Sequence, residues 1–125
     1  MEEMTSYRIF VYGTLMKGEP NHFLIDRDPK NKFIKQAATT RNFNLFDLGG
    51  FPGMTMPGNN SVLGEIYEVT ARTIRDLDIL ESHPQFYRRS YIDLADGEKA
   101  ITYILDSVYT MHCPIIKTGN WKSKN

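Results

Sequence analysis

Apolar and polar positions alternate with a period of two over most of this chain. Tyr7, Ile9 and Val11 alternate with Arg8 and Phe10 in a β-branched, aromatic run that predicts a strand ending at Gly13. The polar stretch Met1 to Ser6 before it predicts a frayed end. After the turn-rich connector "DRDPKNK", the segments "FIKQAATT" and "RNFNLFDLGG" predict two further strands. "GGFPGMTMPGNN" is studded with glycine and proline and predicts a loop. "SVLGEIYEV" alternates again, with Gly64 marking a close backbone approach or a bulge. "YRRSYIDL" and "KAITYIL" flank "ADGE", whose Asp96-Gly97 pair predicts a tight hairpin turn. The tail "PIIKTGNWKSKN" offers one short strand, a glycine turn and the only tryptophan.

In one place the period changes. Within "TARTIRDLDILESHP", Ile74, Leu77 and Glu81 fall at i, i+3 and i+7, which predicts a helix with Thr70 as its cap and Pro84 as its stop. Strands outnumber helices and no repeat is visible. The expected fold is α+β, a small mixed β-barrel packed against one or two helices, with residues 1–125 as a single domain.

Composition narrows the partners. Fifteen basic and fifteen acidic residues leave no net charge, so the electrostatic attraction that dominates nucleic-acid binding has no source. Apolar runs are only a few residues long, far short of the ~20 that span a bilayer as a helix. The one cysteine, Cys113, cannot close an intrachain disulfide, and no charged-then-apolar leader precedes Tyr7, which together predict a reducing, cytoplasmic setting.

Two places carry candidate chemistry. The loop "YGTLMKGEPNH" has glycines at the spacing of a phosphate-binding loop, Gly13 and Gly18, but Glu19 and Pro20 stand where that loop needs Lys and a hydroxyl. What remains is either an ordinary glycine turn or a cradle of backbone N–H groups around Gly13, Thr14 and Leu15, able to receive a carboxylate. Glu81 is the second place. At about 100° per residue it returns to within roughly 20° of Ile74, on the face that should be buried and beside the negative end of the helix dipole. Both effects raise a carboxyl pKa toward the range useful for proton transfer at neutral pH. Asp78, one turn earlier, adds like-charge repulsion unless it is paired. The residues alone leave open the alternative that Glu81 is solvated, or is a structural ion-pair partner of Arg88 or Arg89. His22, His83, His112 and Cys113 lack metal-ligand spacing. Tyr87, Tyr91 and Tyr103 read as wall residues, one or two of which could line a pocket.

"FVYGTLMKGEPNH", "LGEIYEVT", "LDILESHPQFYRR" and "TGNW" occur in this order over nearly the whole chain. Together they resemble the motifs of the gamma-glutamylcyclotransferase-like family, and within it most closely the gamma-glutamylamine cyclotransferase branch. The stretch from Phe23 to Asn60 matches only loosely. The resemblance implies that Glu81 is the catalytic acid–base, that Tyr12, Gly13, Thr14 and Leu15 hold the substrate, and that no metal or organic cofactor is used. It implies cyclisation of a gamma-glutamyl amide to 5-oxoproline with release of the free amine. The competing expectation is a non-catalytic module that binds a glutamyl-like ligand or a partner protein on the same fold.

Overall fold

The computed structural model describes residues 5–124; the expectation for Met1 to Met4 lies outside them, while Ser6 already belongs to the first strand. Strand β1 (Ser6–Val11) sits at the centre of a five-stranded sheet with β2 (Lys32–Ala38), β5 (Leu63–Thr70), β6 (Tyr87–Asp93) and β7 (Lys99–Leu105), in the order β2-β5-β1-β7-β6. All neighbours are antiparallel except β1 and β7, so the sheet is mixed as expected. Ile9, Phe10, Ile66, Val69 and Leu105 are buried on it almost completely. At Gly64 a side chain would collide with the Val11 carbonyl and the Phe10 ring, which confirms a close approach there. The β6–β7 hairpin turns through Asp96-Gly97, with Gly97 at φ 91°. Among the described residues no helix is long and apolar enough to cross a membrane.

The barrel does not form. Edge strands β2 and β6 meet only through the single bridge Thr39–Leu94, flanked by Thr40 N–H to Asp93 O and Ala95 N–H to Ala38 O. Beyond it Lys35 reaches across to Asp96 and Glu98 at 2.6 and 2.5 Å. A charged edge with a register shift between Phe33 and Lys35 is poorly suited to continue the ladder. A second correction concerns "GGFPGMTMPGNN": only its first three residues are loop, and the rest is β4 (Pro52–Asn60), which pairs with β3 (Phe43–Asp47) as a separate two-stranded ribbon. Proline is tolerated because β4 has a ladder partner on one side only.

Helix α1 (Phe23–Asp26) is a single turn that the sequence pattern does not reveal. The predicted helix is α2 (Ala71–Leu80), capped by Thr70, whose hydroxyl accepts the Thr73 N–H at 3.2 Å. It stops before Pro84. Ser82 adopts φ 54°, its N–H donates to Ile79 O and that of His83 to Asp78 O, the paired closure of a Schellman motif. Ile74 and Leu77 are buried as predicted, and Glu81 becomes the C-cap. A 3₁₀ turn at Ser107–Thr110 follows β7.

Candidate active site

The end of β1, the end of α2, the start of β4 and the strands β6 and β7 enclose a cleft of about 200 Å³. Tyr12, Gly13, Thr14, Leu15 and Glu81 all line it, so the two candidate regions, far apart in sequence, share one cavity. Glu81 is carried there by the helix period and by the Schellman closure, which turns the chain back so that Tyr87 N–H reaches Glu81 O at 3.3 Å.

The Glu81 carboxylate has no hydrogen-bond or ion-pair partner among the described residues. Burial is the cause that lifts its pKa from 4.5 to about 7. The arginine that might have lowered it is engaged elsewhere: Arg89 pairs with Asp78, and Arg88 is exposed. Asp78 also accepts the Tyr103 hydroxyl at 2.7 Å, so both of its carboxylate oxygens are engaged, one by a hydroxyl and one by the Arg89 guanidinium. The ion-pair alternative for Glu81 is thereby excluded in favour of an unpaired, desolvated carboxyl.

The loop residues have distinct positions. No acceptor among the described residues takes the backbone N–H of Gly13, Thr14 or Leu15. Their loop is tied from its far side: Asn21 N–H donates to Thr14 O at 2.9 Å, the Asn21 amide to Thr14 Oγ1 at 3.0 Å, and His22 Nδ1 lies 2.9 Å from Leu15 O. Because Thr14 Oγ1 accepts from Asn21, its own hydrogen stays available. Gly13 does not adopt the positive φ that a glycine turn suggests; a Cβ there would lie 2.5 Å from Pro52 Cγ, so it is the proximity of β4 that demands glycine. The Tyr12 hydroxyl is engaged within the protein: it donates to Tyr103 O at 2.7 Å and accepts Met54 N–H at 3.2 Å, joining β1, β7 and β4. Burial, then the neighbouring Tyr87 and Glu81, push its pKa well up.

Other wall residues escape a reading by sequence. Pro52 opens β4 and Phe51 precedes it, and Tyr87 fixes Pro52 by donating its hydroxyl to Pro52 O at 2.6 Å. Tyr87 and Tyr103 line the cleft, whereas Tyr91 is exposed on the sheet edge. Asn21 was visible only as part of the trailing "GEPNH" motif. Glu65 was missed entirely. It is buried behind the loop, where its Oε1 accepts Lys17 N–H at 2.9 Å and the Tyr67 hydroxyl at 2.9 Å. It shares a strand face with Tyr67 and Val69, so the same test that singled out Glu81, a carboxylate on an apolar face, would have found it.

Comparison with known proteins supplies the context for this cleft. The family described as gamma-glutamyl cyclotransferase, AIG2-like, matches residues 9–123. A candidate gamma-glutamylcyclotransferase of Vibrio cholerae is 39% identical over 113 residues, covering 90% of this chain and 93% of that protein. Gamma-glutamylaminecyclotransferase B of Danio rerio is 40% identical over 92 residues, covering 69% of this chain and 48% of its own. Among solved structures, an AIG2-like protein from Mus musculus superposes with a TM-score of 0.73 at 30% identity, over 82% of this chain and 78% of that one. A protein specific to uropathogenic Escherichia coli superposes with a TM-score of 0.83 at 25% identity, over 95% and 94%.

Proposed function

The chain belongs to the gamma-glutamyl cyclotransferase, AIG2-like family, and from that premise we propose that it cyclises a gamma-glutamyl amide to 5-oxoproline and releases the free amine, with Glu81 as general acid–base. The observation that carries this reading is the unpaired Glu81 carboxyl on the wall of the cleft that also contains the free N–H groups of Gly13 to Leu15.

The substrate brings its own nucleophile. Its alpha-amine attacks the gamma-carbonyl carbon, the ring C–N bond forms, the amide C–N bond breaks, and no water is consumed. Near neutral pH the alpha-amine is mostly protonated, and the leaving nitrogen needs a proton. Glu81 takes the proton from the attacking nitrogen and returns it to the departing one, a role contributing ~10²–10⁴ in rate. The N–H groups of Gly13 to Leu15 hold the alpha-carboxylate or the developing oxyanion, with the Thr14 hydroxyl as a further donor, and keep the substrate folded for ring closure. Tyr12 acts through the walls it joins. Incubation with epsilon-(gamma-glutamyl)-lysine and several gamma-glutamyl amino acids, followed by chromatography for 5-oxoproline, tests the reading. Ring product is expected from at least one; its absence from all, with binding retained, would favour a glutamyl-binding module.

A further inference from the structure

The cleft has two unlike ends. Around Thr14 and Asn21 the wall offers amide and hydroxyl groups. Phe51 and Leu80, which reach the surface, are apolar, at 38% and 37% exposure. Phe86 stands beside them, its ring 6.4 Å from that of Phe51 and 4.8 Å from that of Tyr109, both near edge-on. Tyr109 is itself 45% exposed, so the aromatic surface continues from the cleft to the outside of the molecule. Among the described residues, no lysine or arginine lines the cleft, and the one carboxylate on its wall is Glu81.

Glu81 must hand its proton to the departing nitrogen, so that nitrogen sits beside it. On the inner side the buried Tyr12, Tyr87 and Tyr103 stand close enough to feel the Glu81 charge; toward the surface Leu80 precedes Glu81 and Phe86, whose N–H donates to Ser82 O, follows the same turn, both on the cleft wall. The substituent of the nitrogen then runs outward over Leu80, Phe86 and Phe51. Resting on the cyclisation reading above, we infer that these three side chains form a leaving-group subsite for an apolar amine, one whose short alkyl chain ends in an aromatic ring. Such a ring would meet Phe51 and Phe86 edge-to-face and cover apolar surface. A leaving amino acid would instead bring its carboxylate against a wall that has no cation to receive it.

The test compares kcat/KM for three gamma-glutamyl compounds, the methylamide, the phenethylamide and gamma-glutamylglycine, with the wild-type protein and with Phe51→Ala and Phe51→Arg. Phe51 is partly exposed, so both variants should fold, and circular dichroism checks this. In the wild type the phenethylamide is expected to exceed both other compounds by at least about tenfold, the scale on which apolar pockets discriminate. Phe51→Ala should narrow the phenethylamide-to-methylamide ratio several-fold, and Phe51→Arg should shift preference toward gamma-glutamylglycine. Equal kcat/KM for methylamide and phenethylamide, or a wild-type preference for gamma-glutamylglycine, would overturn the subsite while leaving the cyclisation reading intact. Turnover of none of the three, nor of epsilon-(gamma-glutamyl)-lysine, would remove both.

Discussion

Glu65, in the middle of β5, and Glu81, at the end of α2, are carboxylates withdrawn from water in a chain with thirteen other acidic residues, and they are housed in opposite ways. Glu65 is 7% exposed and surrounded by donors: Lys17 N–H and the Tyr67 hydroxyl at one oxygen, the Lys122 ammonium 3.8 Å from the other. Glu81 has none of these. A buried carboxylate surrounded by donors serves as an anchor, here for the outer part of the loop. One left without donors on a cleft wall lies near the balance between its two protonation states, which is the condition for passing a proton. Burial alone therefore does not identify a reacting group; the partners decide.

The largest effect is expected from removing the proton site itself. Glu81→Gln should lower turnover by ~10²–10⁴ with the fold retained, because the amide keeps the shape and cannot ionise; near-normal turnover in a 5-oxoproline assay would end the assignment. The pH dependence separates the two residues next. With burial raising Glu81 from 4.5 to about 7, kcat/KM should fall on the acid side with an apparent pKa near 7, well above that of a free glutamate. Stability should run the other way. Between about 4.5 and about 7 the folded chain keeps a proton that the unfolded chain has released, so unfolding free energy decreases as pH rises through that window and levels off above it. Glu81→Gln should remove this slope in denaturant titrations at several pH values, and a slope unchanged by the substitution would contradict the environment described for Glu81.

Glu65→Leu should do the reverse of Glu81→Gln. It leaves the Lys17 N–H and the Tyr67 hydroxyl without an acceptor, at a cost of about 1–3 kcal/mol in denaturant unfolding. KM should rise as the loop loosens, while the acid limb near pH 7 stays where it is; a displaced limb would mean that the two carboxylates are coupled. The smallest expected effect is at Ser82, the residue that turns α2 into the site. Its left-handed backbone costs an L-residue roughly 1–2 kcal/mol, so Ser82→Gly should raise the denaturation midpoint modestly, and a lowered midpoint would show that its side chain has a role of its own.

The parts of this molecule that can be read from sequence are those whose period is uninterrupted. β1, β5 and the β6–β7 hairpin carry unbroken β-branched and aromatic runs, α2 carries a regular helical stripe with Ile74 and Leu77 buried, and Glu81 stands out because it interrupts that stripe. β4 was hidden because Pro52, Gly53, Pro57 and Gly58 carry turn preferences, and only its place in a two-stranded ribbon makes them acceptable in a strand. The barrel expectation failed on charge at an edge, which period-two counting does not weigh. Phe51 and Pro52 reach the cleft through tertiary packing and carry no local signature of it, whereas Asn21 stands in the motif "GEPNH". The structure constrains Gly13 not through a turn conformation but through a proline ring from the β3–β4 ribbon.

The attachment of the ribbon has a consequence for how such a molecule can diversify. Glu81 and the Gly13–Leu15 loop, to which the proposed function assigns proton transfer and head-group contacts, belong to α2 and the end of β1, whereas one wall of the opening belongs to β4 and the residue before it, held by the hydroxyls of Tyr12 and Tyr87. Those two hydroxyls act as the stops of a calliper. Changes in the β3–β4 connection can alter the gape of the cleft, and with it the girth of the compound admitted, while Glu81 and the Gly13–Leu15 loop stay in register. Variation in appetite and constancy of chemistry would then be inherited through different stretches of the same short chain.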